Sequence, residues 1–132
     1  MTEGGVAVAT RILLIAVAGS LGALSRYSLG GLAQRLLGAQ FPWGTMVVNV
    51  FGCFLAGILF ELFQARWPLS TEARVIVFVG FLGAFTTFSS VMVETANFGR
   101  DGQWLSLAAN LILQNGLGVA AVFAGLAAAR AI

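Results

Sequence analysis

The 132-residue chain has no histidine and a single cysteine, Cys53. Acids are scarce as well: Glu3, Glu61, Glu72, Glu94 and Asp101 stand singly along the chain. These shortages remove most enzyme chemistry, because there is no metal-ligand cluster, no Cys/His or Ser/His pair and no phosphate-cradling loop of the Walker type. The expectation is a protein that is not an enzyme. One cysteine cannot close an intrachain disulfide, so the redox compartment is not legible and Cys53 reads as a small packing residue. Charge is sparse too, at 9% of residues and a formal net +2. The high pI therefore reflects a small surplus of arginine and not a basic patch, which argues against nucleic acid as a partner.

What the chain does have is apolar length. Hydrophobic residues make up 59% of it, and the mean hydropathy is +0.95, well outside the balance of soluble domains. This composition predicts an integral, all-α membrane protein. Four apolar segments, about 6–32, 43–64, 73–98 and 104–129, each exceed the roughly 20 residues that cross a hydrocarbon core of about 30 Å. They fill residues 1–132 as one four-helix transmembrane domain. Trp43, Trp67 and Trp104 fall at segment ends, where amphipathic rings sit at headgroup level. Ser70 or Thr71 is the expected N-cap of the third segment. Arg11 followed by an apolar run and Ala16-Val17-Ala18 has the outline of a signal peptide, but the hydrophobicity continues past that site, which argues for a span instead.

Arginines give the orientation, because basic residues collect on the cytoplasmic side. One face would carry Arg11, Arg66, Arg74 and Arg130, the other Arg26, Arg35 and Arg100. So small a bias predicts insertion in both orientations, from which an antiparallel homodimer follows naturally.

Polar groups inside these spans need internal partners or a polar path. Gly80 to Glu94, GFLGAFTTFSSVMVE, places two glycines, four hydroxyls and an acid within one span. Gly80 and Gly83 are expected to let this third helix unwind, freeing carbonyls that another helix, a water or a cation would satisfy. Phe78, Phe81, Phe85 and Phe88 recur at spacings of three and four and so share one helical face. In the last segment Ser106, Asn110, Gln114, Gly118, Ala121 and Gly125 form one stripe, and in the second Thr45, Asn49, Gly52 and Ala56 form another. Helix packing is the common use of such stripes. Their alternative use is as the lining of a path. No cationic side chain lies obviously at mid-depth, so an anion there would be held by hydroxyls, amides and the positive edges of aromatic rings. Asn49 suits that role by its two N–H donors, and would equally suit capping a broken neighbour helix.

Three stretches resemble the signatures of the Fluc/CrcB fluoride channels: GSLGALSRY (19–27), PWGTMVVNVFGCFLAG (42–57) and GFLGAFTTFSSVMVE (80–94). The resemblance covers essentially the whole chain. It implies a dual-topology, antiparallel homodimer of four-helix subunits with a broken third helix, set in the cell (inner or plasma) membrane. It further implies two narrow fluoride pores and a structural sodium ion at the dimer centre, and passive fluoride export that confers fluoride resistance. By this resemblance the backbone carbonyls of Gly83 and Thr86 bind the sodium ion. Asn49 matches the pore asparagine, Phe88 the first of two phenylalanines that face fluoride, and Thr87, Ser89 and Ser90 the hydroxyl positions around it. Glu94 matches an acid further along the same helix, open to a structural role or to direct ion handling. Arg26, Thr45 and Gly80 sit in the remaining matched motifs. Val91 stands where many members have the second phenylalanine, Asn110 where tyrosine is common and Gln114 where serine is. Both amides still donate hydrogen bonds, so conduction is expected to survive at an altered rate.

Two other classes compete with a fluoride channel. A small proton-coupled exporter would use Glu94 as its carrier site, and a non-transporting assembly subunit would use the polar stripes only as contacts between helices.

Overall fold

The computed structural model describes the backbone of residues 3–132 and the side chains from residue 7 onward. It is all-helical, with no strand among the described residues. Four stretches are long and apolar enough to cross a membrane: Ala7–Leu37, Trp43–Ala65, Thr71–Arg100 and Trp104–Ala131. The chain is a multi-pass membrane protein.

Helix α1 (Glu3–Leu37) ends where Gly38 takes φ +99°, a left-handed conformation that glycine adopts without a Cβ penalty. One amide then holds the turn. Gln34 Nε2 donates to the carbonyls of Gly38 at 2.6 Å and Phe41 at 2.9 Å, while its Oε1 accepts from the Gly44 N–H at 2.9 Å. Those bonds matter because α2 (Trp43–Ala65) starts after Pro42 without a side-chain cap, leaving first-turn N–H groups to be satisfied otherwise.

The third span is assembled from several pieces. Ser70 caps α3 (Thr71–Val75), its hydroxyl accepting from the Ala73 N–H at 3.2 Å. The backbone then widens into a π-helical stretch, Ile76–Leu82, and tightens into the short α4 (Gly83–Phe85). Thr86 (φ −86°, ψ 157°) and Thr87 (φ −148°, ψ 112°) are extended. Helix α5 (Phe88–Arg100) completes the span, and after a turn at Gly102 the chain enters α6 (Trp104–Ala131).

Glycines set how closely these helices approach. Helix α2 packs along α6, and the contact is reciprocal: a Cβ on Gly57 would lie 2.2 Å from the Val122 carbonyl oxygen, and one on Gly125 2.2 Å from that of Phe54. Backbone lies against backbone, as small residues permit in membranes, where dispersion and not hydrophobic burial draws helices together. Helix α1 packs on α2, the π stretch and α4, and α5 packs on α6. Gly80 serves the α1 contact. It lies within the π stretch, and its Cβ would come 2.9 Å from that of Ala18. Gly83 has right-handed helical angles, φ −63° and ψ −33°. The residues with non-helical angles are therefore Thr86 and Thr87, and the two glycines before them are wound.

The outer surface is apolar, with Ile12, Leu13 and Leu24 of α1 and Leu105, Ile112 and Phe123 of α6 all exposed. Hydrocarbon accepts such side chains without cost. At one end of the bundle Arg130 Nε lies 3.0 Å from Glu61 Oε1, so α2 and α6 run parallel. The arginine is largely exposed, and the pair adds little stability.

The Gly57 contact yields a sharp expectation. Gly57→Val should push α2 off α6 and cost about 1–3 kcal/mol of stability, the usual price of overpacking. Gly116→Ala should be neutral or slightly stabilising, because nothing lies within 4 Å of its Cβ position and alanine is the better helix former by about 1 kcal/mol. Thermal melting of the two variants in detergent measures the contrast.

Candidate functional site

Two extended residues inside a span create an immediate problem. The Thr86 N–H keeps its bond to the Leu82 carbonyl at 3.0 Å, but the Thr87 N–H loses its helical partner, and hydrocarbon offers none. Asn49 of α2 solves half of it. Its Oδ1 accepts from the Thr87 N–H at 2.8 Å, and its Nδ2 donates to the Thr87 carbonyl at 3.0 Å. The side-chain amide thus pairs with Thr87 as a neighbouring strand would. Of the two roles open to Asn49 in the sequence, this geometry contains contact with the neighbouring helix segment, and Asn49 also lines a cavity.

The second Nδ2 hydrogen of Asn49 points to Gln114 Oε1, 3.2 Å away. From there amides run along α6: Gln114 Nε2 lies 3.5 Å from Asn110 Oδ1, and Asn110 Nδ2 donates to Thr95 Oγ1 at 3.0 Å and approaches the Val91 carbonyl at 3.4 Å. Asn110 is fully buried, with Gln114 and Thr95 nearly so. Buried amides without partners would cost about 1–3 kcal/mol each, so the chain Thr87–Asn49–Gln114–Asn110–Thr95 fixes α2, α5 and α6 together. Thr95 is a member that the stripe patterns do not single out. It stands four residues after Val91 on the buried face of α5, a spacing that does carry the signal.

The hydroxyls after Thr87 belong to a different hollow. Thr87 Oγ1 caps α5 by accepting from the Ser90 N–H at 3.2 Å, and it lies 3.0 Å from Ser90 Oγ and 3.3 Å from Ser89 Oγ. Ser89, Ser90, Val93 and Glu94 then line a hollow of about 300 Å³. Thr45 of α2 donates its hydroxyl to Glu94 Oε1. The other carboxylate oxygen, Oε2, is buried without a hydrogen bond.

A cavity of about 310 Å³ opens on the Asn49 side, lined by Asn49, Thr86, Thr87, Phe88, Gln114 and Asn115 with apolar neighbours that include Val91 and Val122. Phe88 stands 68% exposed at its mouth, whereas Val91 is only 2% exposed, set in the wall. The phenylalanine stripe is interrupted here. Phe81 and Phe85 stack at 5.8 Å inside the chain and Phe85 is buried, while Phe88 faces out. The extended pair between residues 85 and 88 resets the helical phase, so a spacing of three no longer means a shared face. Arg26 and Gly80 do not line this cavity.

Backbone oxygens offer a separate chemistry. In a continuous helix the Thr87 N–H would bond the Gly83 carbonyl and the Ser90 N–H that of Thr86; here these donors go to Asn49 Oδ1 and Thr87 Oγ1. Both carbonyls therefore lack their intrahelical partners, and Gly83 is exposed. Uncharged carbonyl oxygens fit an alkali cation, whose hydration shell they can replace. Among the described residues no group of His, Cys, Asp or Glu could hold a metal by side chains.

Comparison with known proteins places the chain. The family model described as CrcB-like protein, Camphor Resistance (CrcB), matches residues 13–126. Over 122 residues, 92% of this chain and 98% of the relative, the sequence is 49% identical to a protein of Desulforapulum autotrophicum named fluoride-specific ion channel FluC. Proteins of the same name from Nitrosococcus oceani and Solidesulfovibrio magneticus are each 52% identical, the first over 87% of this chain and 92% of its own length, the second over 89% and 94%. With a matched family model over most of its length and relatives this similar from end to end, the chain belongs to the CrcB family.

Proposed function

We propose that this chain is a subunit of a passive, fluoride-selective channel that exports fluoride across the cell membrane and so confers fluoride resistance. The observation that carries the reading is the end-to-end similarity to proteins named fluoride-specific ion channels. The cavity beside Asn49 is chemically consistent with it. None of the described residues lining it is charged, so an anion would meet side-chain amides and the positive edge of the Phe88 ring. Such groups bind weakly enough for release, which conduction requires. Val91 adds no second ring edge from its place in the wall, which supports an altered conduction rate.

The working unit in this reading is an antiparallel homodimer, with a third helix broken at Thr86 and Thr87 and two pores per dimer. Its support is the near-balance of arginines between the two faces and the exposure of Gly83 and Phe88 within a span. One chain offers the carbonyls of Gly83 and Thr86, and two copies would offer twice as many to a structural sodium ion. That ion would neutralise aligned carbonyl dipoles at the centre of the assembly. Glu94 is a positioning group in this scheme, anchored by Thr45 and aligning α5 against α2.

Reconstituted into liposomes, the wild-type protein should release fluoride down its gradient, read with a fluoride electrode, and leave chloride inside. Absence of fluoride efflux from correctly reconstituted protein rejects the channel. Uphill fluoride movement driven by a proton gradient and abolished in Glu94→Gln would establish the exporter instead. Asn49→Asp keeps the shape of the side chain but sets a carboxylate oxygen against the Thr87 carbonyl and Gln114 Oε1. It should lose about 2–4 kcal/mol, since a buried donor is removed and an unpaired charge introduced, and its fluoride flux should vanish; a melting temperature equal to wild type would contradict that. Sodium in the buffer should raise the melting temperature with its concentration, as binding to the folded state alone dictates, and potassium should not.

A further inference from the structure

Of the three amides that line the cavity, Asn49 has both amide hydrogens taken, by the Thr87 carbonyl and Gln114 Oε1. Gln114 directs one toward Asn110 and is 7% exposed, closed in behind its neighbours. Asn115 differs from both. It directs one Nδ2 hydrogen back to the Leu111 carbonyl at 2.7 Å, its second amide hydrogen and its Oδ1 have no partner among the described residues, and its side chain is exposed. The hydroxyls are engaged as well: Thr86 donates to the Leu82 carbonyl at 2.9 Å, and Thr87 lies within hydrogen-bonding distance of Ser90.

An uncommitted amide in the middle of an apolar span is costly unless it faces a polar path. Asn115 sits one turn from Leu111 and one residue past Gln114, on the α6 face shared with Gly118, Val119 and Val122, all of which line the same cavity. The Leu111 bond holds that side chain against the helix. One N–H is thereby pre-oriented while the other is left to the cavity.

We infer that Asn115 is a direct anion-contacting residue of the conduction path, supplying from α6 the free N–H donor that Asn49 does not have. The inference rests on the channel reading above and adds a specificity-determining position to it. It separates two tasks between two asparagines: Asn49 holds the extended backbone of Thr87, and Asn115 meets the ion.

The test uses the full chain in proteoliposomes, with fluoride efflux measured for wild type, Asn115→Ser, Asn115→Leu and Asn115→Asp, each also checked for elution volume and melting temperature. Serine keeps a donor and should retain a substantial part of the flux. Leucine removes the donor and should lower the flux at least about tenfold, the worth of a hydrogen bond to a charged partner. Aspartate keeps the shape but repels an anion, and should lower it about a hundredfold or more. All should elute and melt as wild type does. Aspartate or leucine variants that conduct within twofold of wild type overturn the inference and leave the channel standing. Flux lost only together with the assembled species assigns Asn115 to contact between copies, which also overturns it. A wild-type protein that passes no fluoride rejects the channel reading and the inference with it.

Discussion

The structure depends on one pairing: the side-chain amide of Asn49 against the backbone of Thr87. A span that stops being helical for two residues exposes peptide groups to a medium that cannot hydrogen-bond them. Each unsatisfied group would cost about 1–3 kcal/mol even by conservative measure. An asparagine amide is the smallest side chain that presents a donor and an acceptor side by side, so it replaces the missing strand partner with no backbone of its own. Leucine or serine in its place would leave at least one group of Thr87 without a bond.

Everything around the pairing is shaped by it. Taking the Thr87 N–H away from the Gly83 carbonyl is what releases that oxygen, so the amide inside the bundle and the free carbonyl on its outer side have one cause. The remaining hydrogen of Asn49 fixes Gln114, Gln114 reaches Asn110, and Asn110 ties in Thr95. Such a network is stiff only if every member is satisfied. It is nearly so, and Glu94 Oε2 stays buried without a hydrogen bond. Close glycine contacts complete the arrangement: a Cβ on Gly52 would meet the Thr86 methyl at 2.3 Å, so α2 must lie almost against the extended pair for Asn49 to reach it.

The four spans were legible because apolar length and flanking tryptophans are local properties, and the Ser70 cap because its hydroxyl precedes a helical run. The stripes on α2 and α6 were legible for the same reason. Partners were not. Spacing places Asn49 and Gln114 on inward faces but cannot choose between a bond to an ion, to backbone or to each other, since those choices depend on how closely two helices approach. Phase was lost at Thr86 and Thr87: counting threes and fours through them grouped Phe88 with Phe85, although one is exposed and the other buried. Gly80 and Gly83 were read for conformational freedom, whereas the Gly80 contact with Ala18 is about space. Thr95 and Asn115 fell outside because neither lies on the stripe that carries Asn110 and Gln114.

The pairing also bears on assembly. Asn49 satisfies Thr87 from within, but the Gly83 and Thr86 carbonyls have no such partner among the described residues, and Gly83 lies at the surface. Lipid tails cannot serve them. A lone copy in a bilayer would carry this deficit permanently, together with an exposed Phe88 and an open cavity, whereas in the proposed dimer a second copy meeting the first at the extended pair would close the cavity and bring a cation within reach of both sets of carbonyls. Near-equal numbers of arginine on the two faces remove the usual obstacle to such a mate lying antiparallel. The cost of leaving the helix at Thr86 and Thr87 is thus met by Asn49 on one side and, in the proposed dimer, by the partner and its shared ion on the other.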